Sequence, residues 1–156
     1  MKIKIPRLRI HSYILLAVIA LSAAVSFIVW AVHFPGVRRT FVYESAASGP
    51  YSIESRYLVS DPEQGKIRNY IDELLLGPIS EHCRPIFADG TCVLSCFRRN
   101  SVLYVEISDD FLLDDAEKTD FRKKCGLFKK NIIRNFPGIK QVVVFAGGNE
   151  LFADDK

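Results

Sequence analysis

The chain has 156 residues, 49% of them hydrophobic, enough for one cored domain plus an appendage. Its formal net charge of +3 belongs to the tail: setting aside Lys2, Lys4, Arg7 and Arg9 leaves 17 basic against 18 acidic residues. A body so balanced lacks the basic face of a nucleic-acid-binding domain, so no nucleic-acid partner is expected.

Residues 1–11 form a basic tail. From Ser12 to Val37 there is no Asp, Glu, Lys or Arg. The stretch Tyr13 to Phe34 would extend roughly 33 Å as a helix, enough to cross a hydrocarbon layer of about 30 Å. Tyr13 and Trp30 stand near its ends, where amphipathic rings favour the interface. We therefore expect a transmembrane helix over 12–34, followed by a linker at 35–39. The basic tail outnumbers Arg38 and Arg39 beyond the helix, which puts the N-terminus in the cytoplasm and the body outside the cytoplasmic membrane. A cleaved signal peptide is the competing reading. The apolar run exceeds the usual h-region of about 7–15 residues, and no clean cleavage site follows it.

The body, 40–152, begins with a strand at Thr40 to Glu44, a loop, and a second strand at Ser52 to Ser60. Asp61-Pro62 then reads as the N-cap and first position of a helix. Ile67, Tyr70, Ile71, Leu74 and Leu75 recur at helical spacing, and Gly77-Pro78 stops the run. Two strands follow, Thr91 to Phe97 and Val102 to Ser108, joined as a hairpin through Arg98 to Ser101. Alternation groups Leu94 with Cys96, and Leu103 with Val105 and Ile107. A polar link from Asp109 to Asp115 leads to a second helix with the stripe Phe121, Cys125, Phe128, Ile132 and Phe136. Phe136-Pro137-Gly138 ends it. Gln141 to Ala146 is the last strong strand, with a short edge strand after Gly147-Gly148. The order β-β-α-β-β-α-β predicts an α+β fold: a two-layer sandwich with both helices on one face of a mixed sheet. Residues 153–156 are an acidic tail end.

Catalytic and metal chemistry find little footing. His82 is the body's one histidine, and neighbouring Cys83 points elsewhere in an extended chain. Cys92 and Cys96 would stand roughly 13 Å apart on a strand, too far to bridge. Cys96 and Cys125 read as core thiols. Cys83 and Cys92, in or beside a loop, are the candidate disulfide in an oxidising compartment. The doublets Asp109-Asp110 and Asp114-Asp115 lack EF-hand spacing, and Asp114 or Asp115 fits better as a helix cap. No metal, cofactor or catalytic residue is expected. Lys118, Arg122, Lys123, Lys129, Lys130 and Arg134 could face anionic lipid or an acidic partner, or simply water.

The motifs form an ordered series. An amphipathic helix ends in Leu75-Leu76-Gly77-Pro78, and Asp89-Gly90-Thr91 opens a strand. Val105-Glu106-Ile107-Ser108 is followed by Phe111, and Phe136-Pro137-Gly138-Ile139 leads into the last strand. Over about Thr40 to Phe152 this resembles the GerMN domain of bacterial sporulation and germination proteins. In that family a helix ends in L-x-G-P, a strand starts at G-T, an aromatic follows a V-D-L-S-like strand, and F-P-G precedes the last strand. The resemblance implies that Leu75, Gly77, Pro78, Gly90, Thr91, Phe111, Phe136, Pro137 and Gly138 are structural motif residues. It also implies a small module outside the cytoplasmic membrane that acts through protein contacts, without implying a sporulation role.

The expected function is a non-enzymatic, membrane-anchored module that helps assemble or stabilise a cell-envelope complex through a protein partner or self-association. The alternative is cell-wall or small-ligand binding at the loop 78–90, using His82 and Arg84. A hydrolase is the third, weakest reading.

Overall fold

A computed structural model describes residues 10–33, 36–46, 50–110 and 118–152. The chain divides into two compact units, Met1–Pro35 and Gly36–Lys156. In the first, α1 (Ile10–His33) has no acidic residue in its first turn. Its window Ile10–Ala31 is long and apolar enough to span a membrane.

The second unit is α+β. It contains β1 (Gly36–Ser45), β2 (Tyr51–Val59), α2 (Lys66–Leu75), β3 (Cys83–Arg84), β4 (Val93–Arg99), β5 (Val102–Ile107), α3 (Lys118–Asn135), β6 (Gln141–Ala146) and β7 (Asn149–Glu150). The strands form two sheets rather than one, in the orders β2-β1-β3 and β4-β5-β6-β7. β5 and β6 run parallel, joined through α3, and the other neighbours are antiparallel.

The division has a visible cause on α3. Asn131 and Asn135, one turn apart, present side-chain amides to the edge of β1. Asn131 accepts from Val42 N–H and donates to Val42 C=O, both at 2.8 Å. Asn135 does the same for Thr40, at 3.1 and 2.7 Å. Two side chains thus satisfy the backbone groups that another strand would otherwise pair. The edge of β1 is closed by a helix, and β4 to β6 pair elsewhere.

The helices and the inner sheet faces share one core. Tyr70, Ile71 and Leu74 of α2 meet Phe128 and Ile132 of α3, Phe41 and Tyr43 of β1, and Leu103, Val105, Ile107, Val142 and Val144. The helical stripes therefore lie as their spacing predicts, with Phe121 and Phe136 packed at the margin.

Three local expectations are corrected. Residues 36–39, expected as linker, are strand paired to Arg56–Val59. Helix α2 starts at Lys66, not beside Asp61, because Gly65 takes φ +86° and Pro62–Gly65 close a turn with Gly65 N–H on Pro62 C=O at 2.9 Å. Leu94 is exposed and Val93 buried, since the ladder shifts register between Val93 and Ser95. That bulge moves Leu94 off the face that alternation assigns it with Cys96, while Cys96 faces inward opposite Val105.

Candidate functional site

The Gly77-Pro78 stop is held by an ionic clasp from β2. Gly77 adopts φ +89°, which favours glycine, and its N–H closes the helix end on Leu74 C=O at 3.3 Å. Arg56 reaches under it: Nη2 donates to Gly77 C=O at 2.7 Å and to Glu54 Oε2 at 2.8 Å. Glu54 accepts from Ile79 N–H at 3.2 Å and Ser80 N–H at 2.8 Å. The Arg56 guanidinium lies 4.7 Å from the centre of the Phe41 ring. Burial works to raise the Glu54 carboxyl, but the Arg56 hydrogen bond and the two backbone donors outweigh it and hold the group below its ordinary range. Burial pushes the nearby Tyr43 hydroxyl up to about 12 against the pull of Arg56. These groups are consumed by structure: each charge has a partner inside the clasp.

The other motif residues are placed around turns. Leu75 is buried, and Pro78 is half-buried. Gly90 takes φ +92°, and the buried Thr91 hydroxyl donates to Ala88 C=O at 2.7 Å. Pro137 and Gly138 make the exposed turn after half-buried Phe136. Phe111, with Asp114 and Asp115, lies outside the described residues.

The loop 78–90 carries a shallow hollow of about 290 Å³ lined by Gly77, Pro78, Ser80, Pro85 and Asp89 among others. His82 and Arg84 are exposed and do not line it. All four cysteines are free thiols, with Cys83 and Cys125 buried, Cys96 half-buried and Cys92 exposed. Burial pushes the Cys125 thiol up to about 11, which suits an inert packing role. Asp109 and Asp110 are exposed. Among the described residues no group of three His, Cys, Asp or Glu could hold a metal ion. On α3, Arg122, Lys123, Lys130 and Arg134 are exposed along the helix.

A larger feature has no single sequence motif. The start of α2, the β4–β5 hairpin, Arg39 of β1 and Phe136 enclose a groove of about 560 Å³. Ile67, Cys96, Leu103 and Phe136 supply apolar lining, and Arg39, Lys66, Arg68 and Arg98 supply charge. Main-chain carbonyls hold all three guanidiniums. Arg39 donates to Asn135 C=O at 2.6 Å and lies 4.4 Å from the Phe136 ring centre. Arg98 donates to Asn100 C=O at 2.6 Å and Gly138 C=O at 2.9 Å. Arg68 donates to Val93 C=O at 3.1 Å, with Asp72 3.9 Å away.

Neutral acceptors orient a guanidinium without cancelling its charge. Against four cations the lining holds one carboxylate, Asp61. Helix α2 adds to the field: Gly65 offers no side-chain cap, and the first turn has no acidic residue. Asn69 N–H is bonded to Gly65 C=O, so the preceding amides of Lys66 to Arg68 have no acceptor within the helix. The arrangement suits an anion carried on an apolar body. Sequence reading passed over this groove because its walls come from four distant segments. The one local signal was Gly65, which removes the helix start from Asp61.

The fold is that of a GerMN domain. Two solved structures carry the likeness: the tandem GerMN domains of the sporulation protein GerM from Bacillus subtilis (TM-score 0.58, 16% identity) and the first of those domains alone (TM-score 0.55, 17% identity). The match covers 74% of this chain in both cases, with 41% of the tandem structure and 86% of the single domain. The chain thus spans less than half of the tandem protein. In sequence it is 23% identical over 115 residues to an "Uncharacterized lipoprotein" of Treponema pallidum (strain Nichols), covering 74% of this chain and 86% of that protein. No family model matches the chain.

Proposed function

We propose that this chain is a non-enzymatic, membrane-anchored extracytoplasmic module that binds another envelope protein, and that the groove between α2 and the β4–β5 hairpin receives an acidic segment of that partner. The observation that carries the reading is the groove itself: four cations, three of them positioned by carbonyls, around an apolar lining and an uncapped helix start. Charge complementarity steers such encounters and fixes their register. The apolar helix, and a relative named as a lipoprotein, support placement at a membrane. Basic residues before α1 support an N-terminus inside and a domain outside.

The experiment uses the full chain in its membrane with a photoreactive phenylalanine analogue at Phe97, an exposed groove residue. A protein adduct whose trapped peptide is rich in Asp and Glu is expected. Arg98→Glu, at an exposed position, should reduce its yield more than about ten-fold. No adduct, or a yield indifferent to Arg98→Glu, overturns the reading. The alternative site, a wall fragment or small ligand on the loop 78–90, has a smaller hollow and neither His82 nor Arg84 within it.

A further inference from the structure

Strand β2 is the outer strand of its sheet, and β1 occupies its other side. Among the described residues no strand pairs with its outer side, and the direction of the backbone groups there follows from the asparagine pairing on β1. Thr40 and Val42 turn N–H and C=O away from β2, towards Asn135 and Asn131. Their antiparallel partners are Ser55 and Ile53. Residues facing each other in such a non-hydrogen-bonded pair both direct their backbone groups away from the shared ladder. Ser55 and Ile53 therefore present theirs at the open edge, and by the two-residue period so do Tyr51 and Val59.

The same alternate residues carry the exposed side chains. Tyr51, Ile53, Tyr57 and Val59 are 57, 59, 65 and 59% exposed, so an apolar row runs beside the edge. Soluble proteins blunt such edges with proline, bulges or charges, inward-pointing ones included; on β2 the two inward charges neutralise each other. The β1–β2 ladder has no register shift, and β2 has no proline. Its two charges, Glu54 and Arg56, are the half-buried members of the clasp.

We infer that β2 pairs with β2 of a second copy of this chain, antiparallel and centred on Ser55. This deepens the proposed protein-binding role and rests on its membrane tether for strength. The occupant is read from self-complementarity. Centred on Ser55, the register sets Tyr51 against Val59 and Ile53 against Tyr57 on the apolar row, and Glu54 against Arg56 on the other face. A register centred on residue 54 would oppose two glutamates, and one centred on residue 56 two arginines. Like charges placed opposite each other destabilise strand pairing, whereas opposite charges support it. A twofold pair of identical edges is antiparallel, as this register requires. A nine-residue edge falls short of the roughly 800 Å² per partner of a standard interface. Confinement to one membrane supplies the missing strength as effective concentration.

The test is disulfide trapping in the full chain in its membrane, with exposed Cys92 changed to Ser. At a paired position the Cα separation is about 5.5 Å, within the range a disulfide spans. Ser55→Cys should give a covalent dimer under mild oxidation, at least five-fold above an exposed control, Gln141→Cys. Tyr51→Cys and Val59→Cys, expressed together, should cross-link to each other and not to themselves. Ser55→Cys dimer no more abundant than the control overturns the proposal, as does equal self-linking of Tyr51→Cys. Adding Arg98→Glu should leave the dimer yield unchanged, so failure of the groove and failure of the edge are read separately.

Discussion

Glu54 and Arg56 sit two residues apart on β2 with both side chains turned inward, and together they fasten the end of α2. Taking a charged pair out of water is costly, and removing one member leaves the other uncompensated. Here Glu54 also accepts two backbone N–H groups of the Ile79–Ser80 turn. Glu54→Gln should destabilise the domain by about 2 kcal/mol at neutral pH, the scale of hydrogen bonds to a charged group. The pH dependence has a definite sign. The folded Glu54 carboxyl lies below its ordinary range. Its contribution is complete above the unfolded pKa and is lost as pH falls through the folded one. Denaturant titrations from pH 7 to pH 3 should therefore show the two proteins converging in acid. A gap independent of pH would refute the ionic part of the clasp.

At the scale of elements, α3 joins two tasks: its apolar stripe fills the core, and Asn131 and Asn135 complete β1. Asn131 is 1% exposed and bonds both backbone groups of Val42. Asn131→Ala strands the half-buried Val42 donor and acceptor and should cost about 2 kcal/mol. Amide exchange at Val42 should accelerate more than at Thr40, still held by Asn135, or at Phe41, whose backbone faces β2. Uniform acceleration across β1 would show global destabilisation instead. This arrangement also marks how far the sequence could be read. The stripes of α2 and α3 and the buried row Leu103, Val105 and Ile107 were legible because burial imposes a strict period on apolar residues. A polar side chain bonded to a distant backbone leaves no such period, so Asn131 and Asn135 gave no sign of dividing one sheet into two. Leu94 was misassigned for a related reason, since a bulge breaks alternation without changing composition. The groove lay further out of reach: Arg39, Lys66, Arg98 and Phe136 converge only once two sheets and two helices are assembled.

For the whole molecule, the decisive physical contrast is between a rod whose apolar side chains are exposed and a domain whose apolar side chains are gathered. Leu15, Leu16, Ile19, Leu21, Phe27 and Ile28 of α1 are all more than half exposed. Among the described residues, the core cluster runs from Phe41 to Phe152. An apolar surface of that extent in water is unstable, whereas in lipid the same surface needs no cover and the helix satisfies its own backbone. The two halves should therefore separate cleanly in function: α1 decides where the protein resides, and residues 36–156 decide its stability. Deleting residues 1–35 should move the protein from the membrane to the soluble fraction. It should leave the melting temperature within about 2 °C of the detergent-solubilised full chain, a difference well under 1 kcal/mol for a domain of this size. A larger fall would mean that α1 contributes to the domain's packing. The same deletion should abolish the Ser55→Cys dimer at micromolar concentration while Ile53 and Ser55 stay exposed. Loss of a trapped dimer without loss of fold would locate the strength of the β2 pairing in the tether, where the short edge alone requires it to be.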